Sequence, residues 1–205
     1  MTVSYFIGRG LCRLFLRLTG GLEGVGTENV PAEGPVLLMP NHVSYLDPPA
    51  VGSCLRRQVF FMAKAELFTA PVLGKLIYSV GAFPVKRGTS DVGAIKRAFT
   101  LLKNGEIVNI FPEGQRSPDG TLCPPQRGAL TVALKSRAAL IPVAVIGTDK
   151  SLSTLHKGIG RTRIRVIYGS PLQTEDLADM DSHEACEELG RRWTAAVSGM
   201  LAEHS

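Results

Sequence analysis

The chain has 205 residues, 44% hydrophobic and 20% charged, with a net charge of +5, which fits one domain with a sizeable core and excludes a disordered or fibrous polypeptide. Four scattered cysteines, Cys12, Cys54, Cys123 and Cys186, form no C-x-x-C pair, which argues against a zinc site or a disulfide framework and suits a reducing compartment. Charge is unevenly divided: residues 51–174 hold eighteen bases against six acids and residues 175–205 two against eight, so the middle of the chain attracts anions. With 6% aromatics and no basic run interleaved with them, nothing selects nucleic acid as the partner.

The spacing of Tyr5, Phe6, Ile7, Leu11, Leu14, Phe15 and Leu18 predicts a helix within residues 1–20, with Arg9, Arg13 and Arg17 on one face. Arginine at every fourth position interrupts the apolar run that a signal peptide or a spanning helix needs. Two readings remain, a membrane-surface helix and an ordinary amphipathic helix packed on its own domain; the first is preferred because no acid balances the arginines. Residues 21–205 then form the remaining domain.

After a turn-rich stretch with one short strand at 20–35, residues 36–39 read as a buried strand that Pro40 ends. Asp47-Pro48 reads as an N-cap and first position of a helix reaching Arg57. Between them, His42 and Asp47 can meet only across a tight turn, being about 140° apart on a helix or about 16 Å apart along a strand. An aspartate so placed can fix the imidazole tautomer and leave the other nitrogen as a general base, or it can simply cap its helix.

A strand at 59–63 leads to Lys64. Residues 67–85 are the most apolar of the chain; Pro71, Gly74, Gly81 and Pro84 break them into a helix from Pro71 to Ser79 and a strand from Ala82 to Val85, in the core or partly sunk in lipid. Lys86 and Arg87 follow that strand, and Ser90 or Asp91 caps a helix ending at Asn104. A strand at 107–111 delivers a loop with Glu113, Gly114 and Arg116, and a helix follows at 128–137. A strand at 140–146 is buried on both faces, a polar segment runs to Gly160, and an alternating strand spans 163–168. Residues 171–205 are largely helical, with Asp181 and Glu184 placed as cap and third helical residue.

Strands alternating with helices predict an α/β fold, a single domain with a mixed, partly parallel sheet flanked by helices. Ligands gather beyond the carboxyl ends of such strands, so the loops bearing His42 and Asp47, Lys86 and Arg87, and Glu113 and Arg116 are expected to converge. No G-x-S-x-G elbow or Walker-type loop occurs, which disfavours a serine nucleophile and a P-loop. A histidine base without a protein nucleophile can deprotonate a substrate hydroxyl that attacks a carbonyl directly, with the cations holding a phosphate.

These residues resemble a known family. Asn41-His42-Val43-Ser44-Tyr45-Leu46-Asp47 is similar to the N-H-x-x-x-x-D motif of the glycerolipid acyltransferases and Phe111-Pro112-Glu113-Gly114-Gln115-Arg116-Ser117 to their F-P-E-G-T-R-S motif. Residues 81–87 resemble the G-x-x-F-[IV]-x-R block and Ile141-Pro142-Val143 the V-P-V block; Gln115 stands where threonine is usual and Pro84 where a β-branched residue is. The resemblance implies acyl transfer from a thioester, acyl-CoA or acyl carrier protein, to lysophosphatidic acid, without a cofactor or metal. It implies His42 as base and Asp47 as its orienting acid, Arg87 and Arg116 on the acceptor's phosphate, Glu113 and Gly114 shaping its glycerol site, and Lys64 as a further phosphate ligand. It also implies a peripheral or monotopic place on the cytoplasmic face of a membrane, with lipids as partners. Acylation of glycerol 3-phosphate or another lysolipid, and a non-catalytic lipid-binding module, are the alternatives; a metal-dependent hydrolase lacks a second ligand motif.

Overall fold

The computed structural model describes residues 3–86 and 91–204. A helix, α1 (Val3–Leu18), precedes strand β1 (Leu22–Val25), and β2 (Val36–Pro40) leads to α2 (Asp47–Cys54). Then come β3 (Val59–Lys64), α3 (Pro71–Ser79), β4 (Ala82–Val85), α4 (Val92–Lys103) and β5 (Ile107–Asn109). The chain ends with α5 (Arg127–Ser136), β6 (Ala139–Ile146), β7 (Ile164–Tyr168) and α6 (Ser182–His204).

The seven strands form one sheet in the order β1-β7-β6-β2-β5-β3-β4. Every neighbouring pair is parallel except β6 with β7, so the expected mixed α/β sheet is found with a parallel majority. Its central strands are apolar on both faces, as parallel strands covered by helices must be: Val36, Leu37 and Leu38 of β2 are wholly buried. One face packs against α4, α5 and α6 around Trp193, Leu189, Leu130 and Ala98. The other packs against α2 and Leu16 of α1. Each such leucine stabilises the fold by about 1.5–3 kcal/mol relative to exposure. The chain's one tryptophan, Trp193, is fully buried and its Nε1 donates to the Met39 carbonyl at 2.7 Å, which ties α6 to the end of β2.

Helix α3 and strand β4 have the expected bounds because proline and glycine punctuate both. Three expectations need correction. Asp47 does not cap α2: Leu46 holds the cap position, and the Asp47 carboxylate turns back to residues upstream. The β5 ladder stops at Asn109, because Pro112 and a turn closed by Gly114 N on Phe111 O draw the chain off the sheet. Helix α2 ends at Cys54, short of the expected Arg57, because Leu55 is extended (φ −95°, ψ 154°); α6 begins at Ser182, directly after Asp181, where its cap was expected.

Candidate active site

Strands β2 and β5 are parallel neighbours with Leu38 opposite Asn109. His42 lies four residues beyond Leu38 and Glu113 four beyond Asn109, so both loops leave the same edge about 4.8 Å apart and must meet. The backbone N–H of His42 donates to Glu113 Oε1 at 2.6 Å, and that of Ser117 to His42 O at 2.7 Å. The His42 ring stacks on Phe111 with centroids 3.9 Å apart. Thus two of the three expected loops converge.

Within the first loop, Asp47 Oδ2 accepts three hydrogen bonds, from His42 Nδ1 at 2.8 Å and from the backbone N–H groups of Val43 at 2.7 Å and Ser44 at 2.8 Å. Asp47 is wholly buried and His42 is 6% exposed. The two amides fix the carboxylate, the carboxylate fixes Nδ1, and Nε2 is left as the nitrogen available to a substrate. Asn41 adds rigidity by imitating a ladder residue: its side chain donates to Val145 O and accepts from Val145 N, extending β2 against β6.

Glu113 is 2% exposed, and its second oxygen accepts from Cys123 N at 2.9 Å. Both oxygens therefore serve backbone amides, and the side chain clamps the His42 loop to the far end of its own loop. Burial pushes its carboxyl above the ordinary range, against the lowering by those two amides, and the nearby Asp47 charge adds to the rise. Gly114 has φ +73° in the turn that follows, and a Cβ there would come within 3.2 Å of Gln126 Cγ. Arg116 lies over the ring of Tyr45, its Cζ 3.8 Å from the centroid, and Tyr45 is 57% exposed. No ion pair between Arg116 and Asp119 occurs among the described residues; Asp119 instead accepts from Ser117 and Thr121.

Lys64 and Lys86 stand apart. Lys64, at the end of β3, is exposed and 3.4 Å from Glu66. Lys86 follows β4, three strand positions or about 14 Å from β2, beside a groove of about 540 Å³ lined by Phe60, Phe83, Asp91 and Arg97. Its backbone N–H donates to Asp91, the N-cap of α4. Arg87 and Ser90 lie outside the described residues.

The polar segment after β6 has a part that residue types alone did not indicate. Ser44 Oγ donates to Ser151 O at 2.5 Å, Tyr45 N to Leu152 O at 3.1 Å, and Thr154 Oγ1 to Ser117 O at 2.6 Å. One strap thus holds both loops. Leu152 adopts φ +47°, a left-handed conformation unfavourable for leucine that persists only where neighbours enforce it. Ser44 and Ser117 lie inside the motifs and were available as signals; Thr154 carried none.

Residues 22–146 match the model of a family described as acyltransferase. The chain is 35% identical over 173 residues to a 1-acyl-sn-glycerol-3-phosphate acyltransferase of Bacillus subtilis, covering 84% of each. It is 37% identical over 168 residues to the chloroplastic 1-acyl-sn-glycerol-3-phosphate acyltransferase LPAT1 of Arabidopsis thaliana, covering 80% of this chain and 47% of that one, so it spans about half the plant protein's length. The crystal structure of the 1-acyl-sn-glycerophosphate acyltransferase of Thermotoga maritima superposes with a TM-score of 0.73 at 23% identity, over 92% of this chain and 77% of that one, a likeness of fold.

Proposed function

The chain belongs to the acyltransferase family, and we propose that it transfers an acyl chain from a thioester to the free hydroxyl of lysophosphatidic acid, giving phosphatidic acid. The observation that carries this reading is the buried His42–Asp47 pair, 2.8 Å from Nδ1 to Oδ2, at the carboxyl end of β2. His42 Nε2 takes the proton of the acceptor hydroxyl as its oxygen attacks the thioester carbonyl. The tetrahedral intermediate then expels the thiolate, and the imidazolium returns the proton to the sulfur. Asp47 keeps Nδ1 protonated throughout and offsets the imidazolium charge, so the acyl group passes between substrates with no acyl-enzyme.

Arg116 extends from the Glu113 loop beside Tyr45, where a guanidinium reaches an acceptor phosphate next to the His42 loop. Gly114, exposed at the same turn, leaves room for the glycerol backbone, and Glu113 contributes by holding that turn against His42. Lys64, at the end of β3, supplies further positive charge, and Arg87 is a second candidate ligand of the phosphate. Acyl-CoA or acyl carrier protein is the co-substrate, and the protein works at the cytoplasmic face of a membrane, held there by α1. No helix among the described residues is long and apolar enough to cross a membrane.

The test is thiol release from acyl-CoA and from acyl carrier protein, each offered with lysophosphatidic acid and with glycerol 3-phosphate. Turnover with lysophosphatidic acid is expected, and His42→Ala should lower it by about 10²–10⁴. Turnover with glycerol 3-phosphate alone would change the acceptor; no turnover with any pair would leave a lipid-binding module.

A further inference from the structure

Helix α1 is amphipathic, yet it sits on the domain the wrong way round for a helix whose apolar stripe serves its own core. The residues turned inward are Tyr5 and Leu16, with Arg9 and Arg13 half-buried beside them. Tyr5 OH accepts from Val59 N at 3.1 Å, and Arg9 Nε donates to Ser53 O at 3.5 Å. The stripe turned outward is apolar: Ile7 is 59% exposed, Leu11 63%, Leu14 55% and Leu18 71%. A soluble packing helix would present the opposite faces.

Helix α3 also turns large apolar side chains outward, with Gly74 and Ile77 toward the domain. Val72 is 82% exposed and Leu76 57%. The two helices touch, although they are more than fifty residues apart in sequence: Ser4 Oγ donates to Ser79 O at 2.9 Å, and a Cβ on Gly8 would lie 2.6 Å from Val80 Cγ1, so glycine alone lets α1 pass that close. The apolar stripe of α1 and the exposed side chains of α3 thus form adjoining parts of one surface.

We propose that α1 and α3 together form a bilayer-docking surface, in which the segment 71–79 enters the lipid interface beside α1 and does not serve as an internal core helix. This goes beyond the anchoring by α1 alone in the proposed function. The occupant is an anionic bilayer, and the argument is charge complementarity. No acid lies on either helix, while Arg17 and Lys75 are exposed on them and Arg9 and Arg13 line the seam between α1 and the domain. Apolar area enters the acyl boundary while the cations meet anionic headgroups. A surface meant for a second protein copy has no comparable reason to carry one sign of charge.

Sedimentation of the full chain with phosphatidylcholine vesicles, with and without phosphatidylglycerol, tests this. The unsubstituted protein is expected to partition onto the anionic vesicles, less so at high salt. Leu11→Glu and Leu76→Glu should each lower the partition coefficient about tenfold or more, with unchanged circular dichroism because both side chains are exposed. Vesicle binding by Leu76→Glu equal to that of the unsubstituted protein would overturn the proposal, confining lipid contact to α1. Dimers that Leu76→Glu dissociates, together with no vesicle binding by the unsubstituted protein, would overturn it in favour of a second copy. Thioester turnover measured apart from vesicles keeps the outcomes separate: absent turnover with intact vesicle binding removes the proposed reaction and leaves the docking surface standing.

Discussion

The loops beyond β2 and β5 and the ends of β3 and β4, at Lys64 and Lys86, lie at the same edge of the same sheet and differ in burial. At the first pair, His42, Asp47, Glu113 and Ser117 are almost fully buried and joined by hydrogen bonds of 2.6–2.8 Å. At the second, Lys64 and Lys86 are exposed, and Lys64 lies near a glutamate that is itself largely solvated. Under the proposed function, chemistry that needs one nitrogen at one place would be preorganised, whereas attraction of a phosphate, which falls off slowly with distance, would be left to solvent-facing cations. The comparison predicts that substitutions among the buried groups of the first region change turnover, and that those at the solvent-facing cations of either region change apparent affinity.

The largest effect should come from Asp47→Asn, which keeps the shape of the buried carboxylate and removes its charge. We expect kcat to fall by about 10² or more with KM nearly unchanged, measured by steady-state thiol release. Glu113→Ala comes next. It leaves the buried amide of His42 and the amide of Cys123 without acceptors, at about 1–3 kcal/mol each, which denaturant unfolding will register along with lower turnover.

The same residue predicts a pH dependence. Because burial raises the folded Glu113 carboxyl above its ordinary value of 4.5, folding favours the protonated form. Its contribution to stability is fully present below 4.5 and is lost as pH rises through the raised value. Unfolding free energies collected across that window should slope downward with pH in the unsubstituted protein and more weakly in Glu113→Gln.

Arg116→Ala should raise KM for the phosphorylated acceptor about tenfold with a smaller change in kcat, since it removes the proposed phosphate contact and the Tyr45 stack while sparing the buried pair. Lys86→Ala should be the mildest, roughly twofold in KM. If it proves as damaging to kcat as Asp47→Asn, the division between the two regions fails.

How far this arrangement could be read from the sequence depended on the distance over which each interaction acts. Strand β4 and helix α3 were legible because Pro71, Gly81 and Pro84 act locally. The His42–Asp47 turn was legible because only a tight turn lets those residues meet. The use of Asp47 was half legible: Asp before Pro looks alike whether the carboxylate caps its own helix or turns back to His42, Val43 and Ser44, and only the fold decides. Helical period divided α1 into an arginine face and an apolar face but could not say which one faces the domain. The strap's own residues carried no signal, since its bonds to Ser44 and Tyr45 span more than a hundred residues and mostly use backbone carbonyls, which every sequence possesses. The separation of Lys86 from His42 followed from the strand order, which neither motif spacing nor composition encodes.

The hydrogen bond from Trp193 to Met39 gives the molecule an internal optical reporter. Indole emission responds to the polarity and hydrogen bonding around the ring, and this chain has a single indole, fixed three residues before His42. Any event that shifts the end of β2, such as substrate seating, loosening of the strap or the loss of Glu113, should alter the wavelength or lifetime of one unambiguous fluorophore. The motion of the candidate site could then be followed in real time without attaching a label.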